Sequence, residues 1–307
     1  MKPDSGKSIE HFDVSAYLEN LHKEMKYDYI DGENKLIGYI GFLKSNGTQL
    51  IALDIECEFN RHEYGEKLCL VQIYDGTRTV VIDPFRTPLE LTKSILENRS
   101  FMKIMYDAPG DRAFLYKNYG IDTLSILDLQ QAVALLEYEK RDLASVLKHA
   151  LGIDGGRSKG KYQQYNWNTR PLDEEAIKYA IEDVAYLIEL KSHLLERIVA
   201  GGLLEKFLLK NLQVQNKPHI YDTRPGLLRS RRFRNLTKKE QNVFGKLFSV
   251  RDIYAQRFNL PPNTVLKNEM LFQLATKRVS IKDVVPGKTI PNEQTKQIIK
   301  DMENVLP

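Results

Sequence analysis

Residues 51 to 60 read IALDIECEFN, an apolar run interrupted by acids. In a β-strand successive side chains point to opposite faces, so Asp54 and Glu56 share one face while Leu53, Ile55 and Cys57 share the other. Two carboxylates side by side repel and raise each other's pKa, and protonation, a basic partner or a bound cation relieves the conflict. A half-exposed edge strand with its polar face in water also satisfies the pattern. The rest of the chain decides between a wet edge and a site.

The chain has 307 residues, 42% of them hydrophobic, which is enough to build the cores of two domains. No apolar run reaches membrane-spanning length. MKPDSGKSIEHFDVSAYLEN has neither an apolar signal core nor an Arg-rich transit pattern, so a soluble, cytoplasmic protein without membrane contact is expected. Cys57 and Cys69 lack metal-ligand spacing and read as reduced thiols within strands. The net charge of +4 hides an asymmetry. Residues 206–307 hold 20 Lys and Arg against 8 Asp and Glu, a net of +12, whereas residues 1–205 hold 25 against 33, a net of −8. The basic part suits a polyanion, and the acidic part holds carboxylates for another purpose.

TQLIALDIE, KLCLVQIYD and TRTVVIDPF predict three neighbouring antiparallel strands, separated by the turn-like EYGE and DGT. A helix in PLELTKSILEN, a strand in FMKIMYD and a helix beginning near Pro109 follow, which makes a mixed α/β domain. Asp128 to Ala150 reads as helical and DGGRSKGKYQQY as a basic loop. From Asp173, a plausible N-cap, one long helix is expected to run to about Val199 before Gly201-Gly202. HIYDTRPG and LRSRRFRN form a basic linker, everything after Leu236 looks helical, and no internal repeat is present.

Two later acidic positions extend the pattern. In YDAPGDRAFLYKNYG, Pro109 fits a first helical turn, Asp107 or Ala108 the cap, and Asp111 the end of that turn, where a carboxylate also favours the positive helix terminus. In DEEAIKYAIEDVAYLIEL, Tyr179 and Asp183 lie four apart and share a helix face beside Ile177, Ala180, Ile181, Val184, Leu187 and Ile188. Each alone has an ordinary structural explanation. Together, as D-x-E on a strand, D on a later helix, and Y-x-x-x-D after Trp167-Asn168-Thr169-Arg170-Pro171-Leu172, they resemble ribonuclease D and the DEDDy class of 3′-to-5′ exonucleases, over about residues 28 to 200. LVQIYDG and ILDLQQA look like the connecting segments of that family. LTKKEQNVFGKLFSVRDIYAQRFNLPPNTVLKNEMLFQLA resembles the HRDC nucleic-acid-binding domain.

The resemblance implies an α/β ribonuclease H-like exonuclease domain, a mixed central sheet flanked by helices, followed by an all-α HRDC-like domain. The expected divisions are an N-terminal helical extension at 1–27, the exonuclease domain at 28–205, a basic linker at 206–236 and the HRDC-like domain at 237–307. The implied activity is metal-dependent hydrolysis of RNA 3′ ends to nucleoside 5′-monophosphates, with tRNA precursors or other structured RNA as substrates. Nothing in the carboxylate pattern separates ribose from deoxyribose, so DNA 3′ ends stand as an alternative. A catalytically silent RNA-binding protein on the same fold is a second alternative, against which the intact acidic set argues.

Asp54, Glu56, Asp111 and Asp183 would hold two divalent cations, Mg2+ or Mn2+, with Asp54 bridging, and those ions would offset the carboxylate repulsion. Tyr179 would orient or help deprotonate the attacking water, because a phenol with an ordinary pKa near ~10 is a poor lone base. Arg157, Lys159 and Lys161 in the basic loop, and Arg229, Arg231, Arg232 and Arg234 in the linker, would add salt-sensitive phosphate contacts. Two positions depart from the family pattern: Tyr106 stands where His is frequent, and Cys57 where an aromatic often follows the second carboxylate. His149 and Asp154 form a rival H-x-x-x-x-D of the sister DEDDh class, set aside because Leu151-Gly152 should end the helix between them.

Overall fold

The computed structural model describes residues 26–154, 162, 164–219 and 224–307. The expected N-terminal extension lies almost wholly outside the described residues, and Arg157, Lys159 and Lys161 lie outside them entirely. Six strands, β1 (Tyr27–Ile30), β2 (Leu50–Phe59), β3 (Glu66–Tyr74), β4 (Thr79–Ile82), β5 (Met102–Met105) and β6 (Ile126–Asp128), form one sheet in the order β1-β4-β3-β2-β5-β6. The β2, β3 and β4 neighbours are antiparallel, as their spacing predicts. The other pairings are parallel, which makes the sheet mixed.

Alternation along β2 sets the layers. Ile51, Leu53 and Ile55 join the apolar cluster that receives Leu36 and Leu43 of α1 (Glu33–Ser45), Ile95 of α2 (Leu89–Leu96) and Leu115 of α3 (Ala108–Tyr119). Ala52 faces the opposite cluster with Ile104 and Leu127. Asp54 and Glu56, on the Ala52 face, are thereby directed away from α1 and α2.

Two stretches read as continuous helices are broken. After β6, α4 (Gln130–Leu135) stops, and α5 (Leu143–Leu151) starts afresh where the Asp142 carboxylate accepts the Ser145 N–H at 3.0 Å. The long helix divides at Tyr186 into α6 (Glu174–Ala185) and α7 (Leu187–Ala200). The reason is a change of neighbour. Ala176, Ile177, Ala180 and Ile181 of α6 pack with Cys69, Leu70 and Val81, whereas Leu187, Leu190, Leu194 and Ile198 of α7 pack with Ala52, Ile104 and Leu127. The change begins before the break, since Val184 and Ala185 at the end of α6 already belong to the α7 cluster.

The expected linker also begins too early. Helix α8 (Leu204–Asn216) buries Phe207 fully in the same cluster as α7, and the Asn211 side-chain oxygen accepts the Asp128 N–H at 2.6 Å. A chain cut at 205 would therefore expose core. Beyond two short helices, α9 (Gly226–Arg229) and α10 (Arg231–Arg234), a separate apolar cluster joins α11 (Lys238–Phe258), α12 (Pro262–Val265), α13 (Asn268–Ala275) and α14 (Asn292–Glu303). A capping box opens α11, where Glu240 N–H donates to Thr237 Oγ1 at 3.3 Å and Thr237 N–H to Glu240 Oε2 at 2.7 Å. No helix among the described residues is long and apolar enough to cross a membrane.

Lys103 on β5 is fully buried, its ammonium bonded to the Asn98 carbonyl, and burial pushes its pKa down to about 8. The unfolded chain therefore holds this proton more tightly than the folded one, and Lys103 makes stability rise with pH between about 8 and the ordinary 10.5. Thermal melting of Lys103→Met should show a higher Tm than the parent at pH 7 and lack that alkaline rise.

Candidate active site

Three of the predicted carboxylates converge. Asp54 and Glu56 from β2 and Asp183 from α6 offer ligand oxygens that all lie within 4.8 Å of one another. All three are half-buried. Burial raises the Asp54 pKa well above the ordinary carboxylate range, and Asp111, Asp183 and Glu56 add to it. Glu56 is raised in the same way, first by burial and then by Asp183 and Asp111. Oxygen donors alone, crowded and negative, suit a hard divalent cation such as magnesium or manganese. Gln72 sits directly across from Asp54 on β3, and its buried amide makes no hydrogen bond among the described residues.

Asp111 arrives from α3 and stands outside that three-residue set, although it raises the pKa of both Asp54 and Glu56. Burial pushes its own pKa up to about 7, with Asp107 and Asp128 adding repulsion. The helix turns sharply out of β5. Asp107 takes the cap position with φ 61 and ψ 46 in the left-handed region, and its side chain makes no capping bond. The start is held instead by the buried Asp128, which accepts the Asp107 N–H at 2.9 Å and the Gln130 N–H at 3.1 Å.

The segment before α6 fixes Tyr179 and Asp183. Asp173 caps the helix, accepting the Glu175 N–H at 3.0 Å. Arg170 forks onto the buried Asp83 with Nε to Oδ2 at 2.7 Å and Nη2 to Oδ1 at 2.9 Å, and also donates to the carbonyls of Cys69 and Trp167. Tyr29 donates a further bond to Asp83 at 2.8 Å. Burial pushes the Asp83 carboxyl up, but the Arg170 and Tyr29 bonds outweigh it and hold the group below the usual range. The Arg170 of the W-x-x-R-P-L segment is thus a positional clamp, a role the motif alone did not reveal. Tyr179 rests between Tyr162 and Trp167, and burial, then Asp183 and Glu56, raise its pKa above that of an ordinary phenol.

Beside the carboxylates lies a cavity of about 280 Å³ lined by Glu56, Asp111 and Tyr179 on one side and by Phe59, Tyr165 and Trp167 among its aromatic residues. Glu58 lines it too and went unrecognised. The signal was present, since Asp54, Glu56 and Glu58 continue the same alternation. Cys57 also lines the cavity, and Tyr106 is occupied elsewhere, donating to the Arg141 carbonyl at 2.5 Å. The rival His149 and Asp154 are separated by the helix end at Gly152, where φ is 71, and Asp154 pairs with Lys148. Of the four linker arginines expected to meet phosphate, Arg232 is committed to Glu269 and to the Phe272 ring, so it braces the helical part, while Arg229, Arg231 and Arg234 are exposed.

The sequence family described as 3′-5′ exonuclease matches residues 27–199, more than half the chain, and the HRDC domain matches residues 240–283. The chain belongs to the 3′-5′ exonuclease family, and its sheet and helices are the ribonuclease H-like fold that the motifs implied. It is 28% identical over 230 residues to ribonuclease D of Sphingobium indicum, covering 72% of this chain and 58% of that protein. It is 26% identical over 243 residues to mouse exosome complex component 10, covering 75% of this chain and 27% of that protein. The chain thus spans about a quarter of the length of the exosome relative. Escherichia coli RNase D, described as an exoribonuclease involved in structured RNA processing, shares the fold with a TM-score of 0.69 at 22% identity, over 92% of this chain and 76% of that one.

The clamp before α6 generates a test. Removing one partner of a buried ion pair costs about 3–5 kcal/mol, so Arg170→Met should lower the Tm markedly at pH 7. Because Asp83 is held low, its contribution is present above its ordinary pKa and lost as pH falls through the folded value. Melting curves should therefore show the deficit of the variant shrinking as the pH drops below about 4.

Proposed function

We propose that this protein is a divalent-metal-dependent 3′-to-5′ exoribonuclease that hydrolyses the last phosphodiester bond of an RNA 3′ end and releases a nucleoside 5′-monophosphate. The convergence of Asp54, Glu56 and Asp183 carries the reading. These three, with Asp111, would hold two divalent cations. Such cations supply neutralisation of the phosphate charge, acidification of water and stabilisation of the departing 3′ oxygen.

The chain's own groups account for the rest. Tyr179, with its pKa raised, keeps its proton at neutral pH, so its hydroxyl orients the attacking water and does not act as a free phenolate. Tyr165, Trp167 and Phe59 offer faces on which a terminal base can stack, a mode that tolerates any base. The net charge of +12 over residues 206–307 supports capture of a longer polyanion by phosphate contacts. RNA, and structured RNA such as tRNA precursors, is favoured over DNA by what the ribonuclease D relatives are called.

Digestion of 3′- and 5′-end-labelled RNA and DNA oligomers with magnesium or manganese tests this. Nucleoside monophosphates should appear from the 3′ end of RNA and disappear with chelator. Asp54→Asn and Asp183→Asn should lower turnover by at least about 100-fold while remaining folded, and Tyr179→Phe should lower kcat strongly with metal affinity little changed. Near-normal turnover by either Asn variant would refute the assignment, and preferential digestion of DNA would reverse the substrate choice.

A further inference from the structure

The cavity beside the carboxylates has one wall that the proposed chemistry leaves without a role. Its basic lining residues are Arg61 and His62, on the loop that leaves β2. Behind them stands Glu58, 2% exposed. A buried carboxylate is costly unless hydrogen bonds surround it. Here it accepts the N–H of Arg61 and that of His62, the latter at 3.0 Å, the Asn168 amide at 3.2 Å, and the ring Nδ1–H of His62 at 2.9 Å. Burial alone would raise the Glu58 pKa, but the His62 and Arg61 bonds outweigh it and hold it low.

The two backbone bonds close the loop, and closing a loop does not require an imidazole. The ring bond does something else. A carboxylate accepting from Nδ1 fixes the tautomer and the ring plane, and leaves Nε2 as the atom available to another molecule. His62 is about a quarter exposed, with a side-chain accessibility of 27%, and it lines the cavity with Glu56, Asp111 and Tyr179. The space has room for one nucleoside, between aromatic faces and this polar wall.

Building on the exonuclease reading, we infer that His62, oriented by Glu58, makes a direct polar contact through Nε2 with the terminal nucleoside lodged in this cavity. Glu58 is a positioning residue and takes no part in the chemistry. The contact binds substrate and product alike, so it acts on affinity more than on turnover.

The experiment is steady-state kinetics on short unstructured oligoribonucleotides ending in adenosine, uridine or 2′-deoxyadenosine, together with inhibition by adenosine 5′-monophosphate. His62→Ala should raise KM roughly tenfold with kcat within about twofold, and weaken adenosine monophosphate inhibition by a similar factor. His62→Gln, which keeps a polar end, should lose less, and Glu58→Gln should show part of the KM effect. A loss confined to the ribose-terminated oligomers would put the contact on the 2′-hydroxyl, and an equal loss across termini would put it elsewhere on the nucleoside. Either supports the inference. A folded His62→Ala with unchanged KM and unchanged inhibition overturns it, and so does a drop in melting temperature without a change in either constant, which would make the pair a loop staple. Wild-type protein that releases no nucleotide would instead overturn the functional reading on which the inference rests.

Discussion

Mutual repulsion among Asp54, Glu56, Asp183 and Asp111 is the interaction around which this molecule is organised. Two unit charges 4 Å apart interact by about 4 kcal/mol at the effective dielectric of a protein surface, and the ligand oxygens of Asp54, Glu56 and Asp183 lie within 4.8 Å of one another. A domain is stable by only about 5–15 kcal/mol in total. Without a cation the cluster relieves part of that repulsion by holding protons, which the raised pKa values of Asp54, Glu56 and Asp111 record. The acids are held together by a six-stranded sheet whose two faces are both covered, so that β2 and α6 have no freedom to move the charges apart.

Favourable electrostatics are placed next to the cluster and not inside it. Arg170 pairs with Asp83, just past the end of β4, and so pins the entry to α6. Asp128 takes the Asp107 N–H at the start of α3 and the Gln130 N–H at the start of α4, which sets where Asp111 emerges. Glu58 takes the loop after β2. In each case a structural carboxylate is satisfied by protein donors, whereas the pKa values of Asp54 and Glu56 are pushed up by burial and by the charges of their acidic neighbours. The same end of the sheet therefore holds carboxylates that brace the fold and carboxylates suited to a cation.

Much of this was legible in the chain because two periodicities carried it. The two-residue alternation in IALDIECEFN placed Asp54 and Glu56 together, and the four-residue spacing placed Tyr179 with Asp183. What could not be read was tertiary. The break at Tyr186 accompanies a change of apolar cluster that starts at Val184, and a helical stripe says nothing about which cluster it will meet. The same limit hid the docking of Phe207, which lies inside the expected linker yet packs in the first domain, and the pairing of Arg170 with Asp83, 87 residues away. Glu58 was a different kind of omission. It sat in the alternation, but whether a carboxylate is a ligand or a clamp depends on donors such as Asn168, which only folding brings near.

We expect the crowded carboxylates to destabilise the metal-free fold and divalent cations to relieve that cost. Thermal denaturation of the wild type and of Asp54→Asn, each with chelator and with millimolar magnesium or manganese, tests it most directly. Without cations the variant, having lost one of the crowded charges, should melt above the wild type. With cations the wild type should rise and the variant should gain little, so that the order reverses. A wild type indifferent to divalent cations, or a variant that melts below it in chelator, would contradict the account.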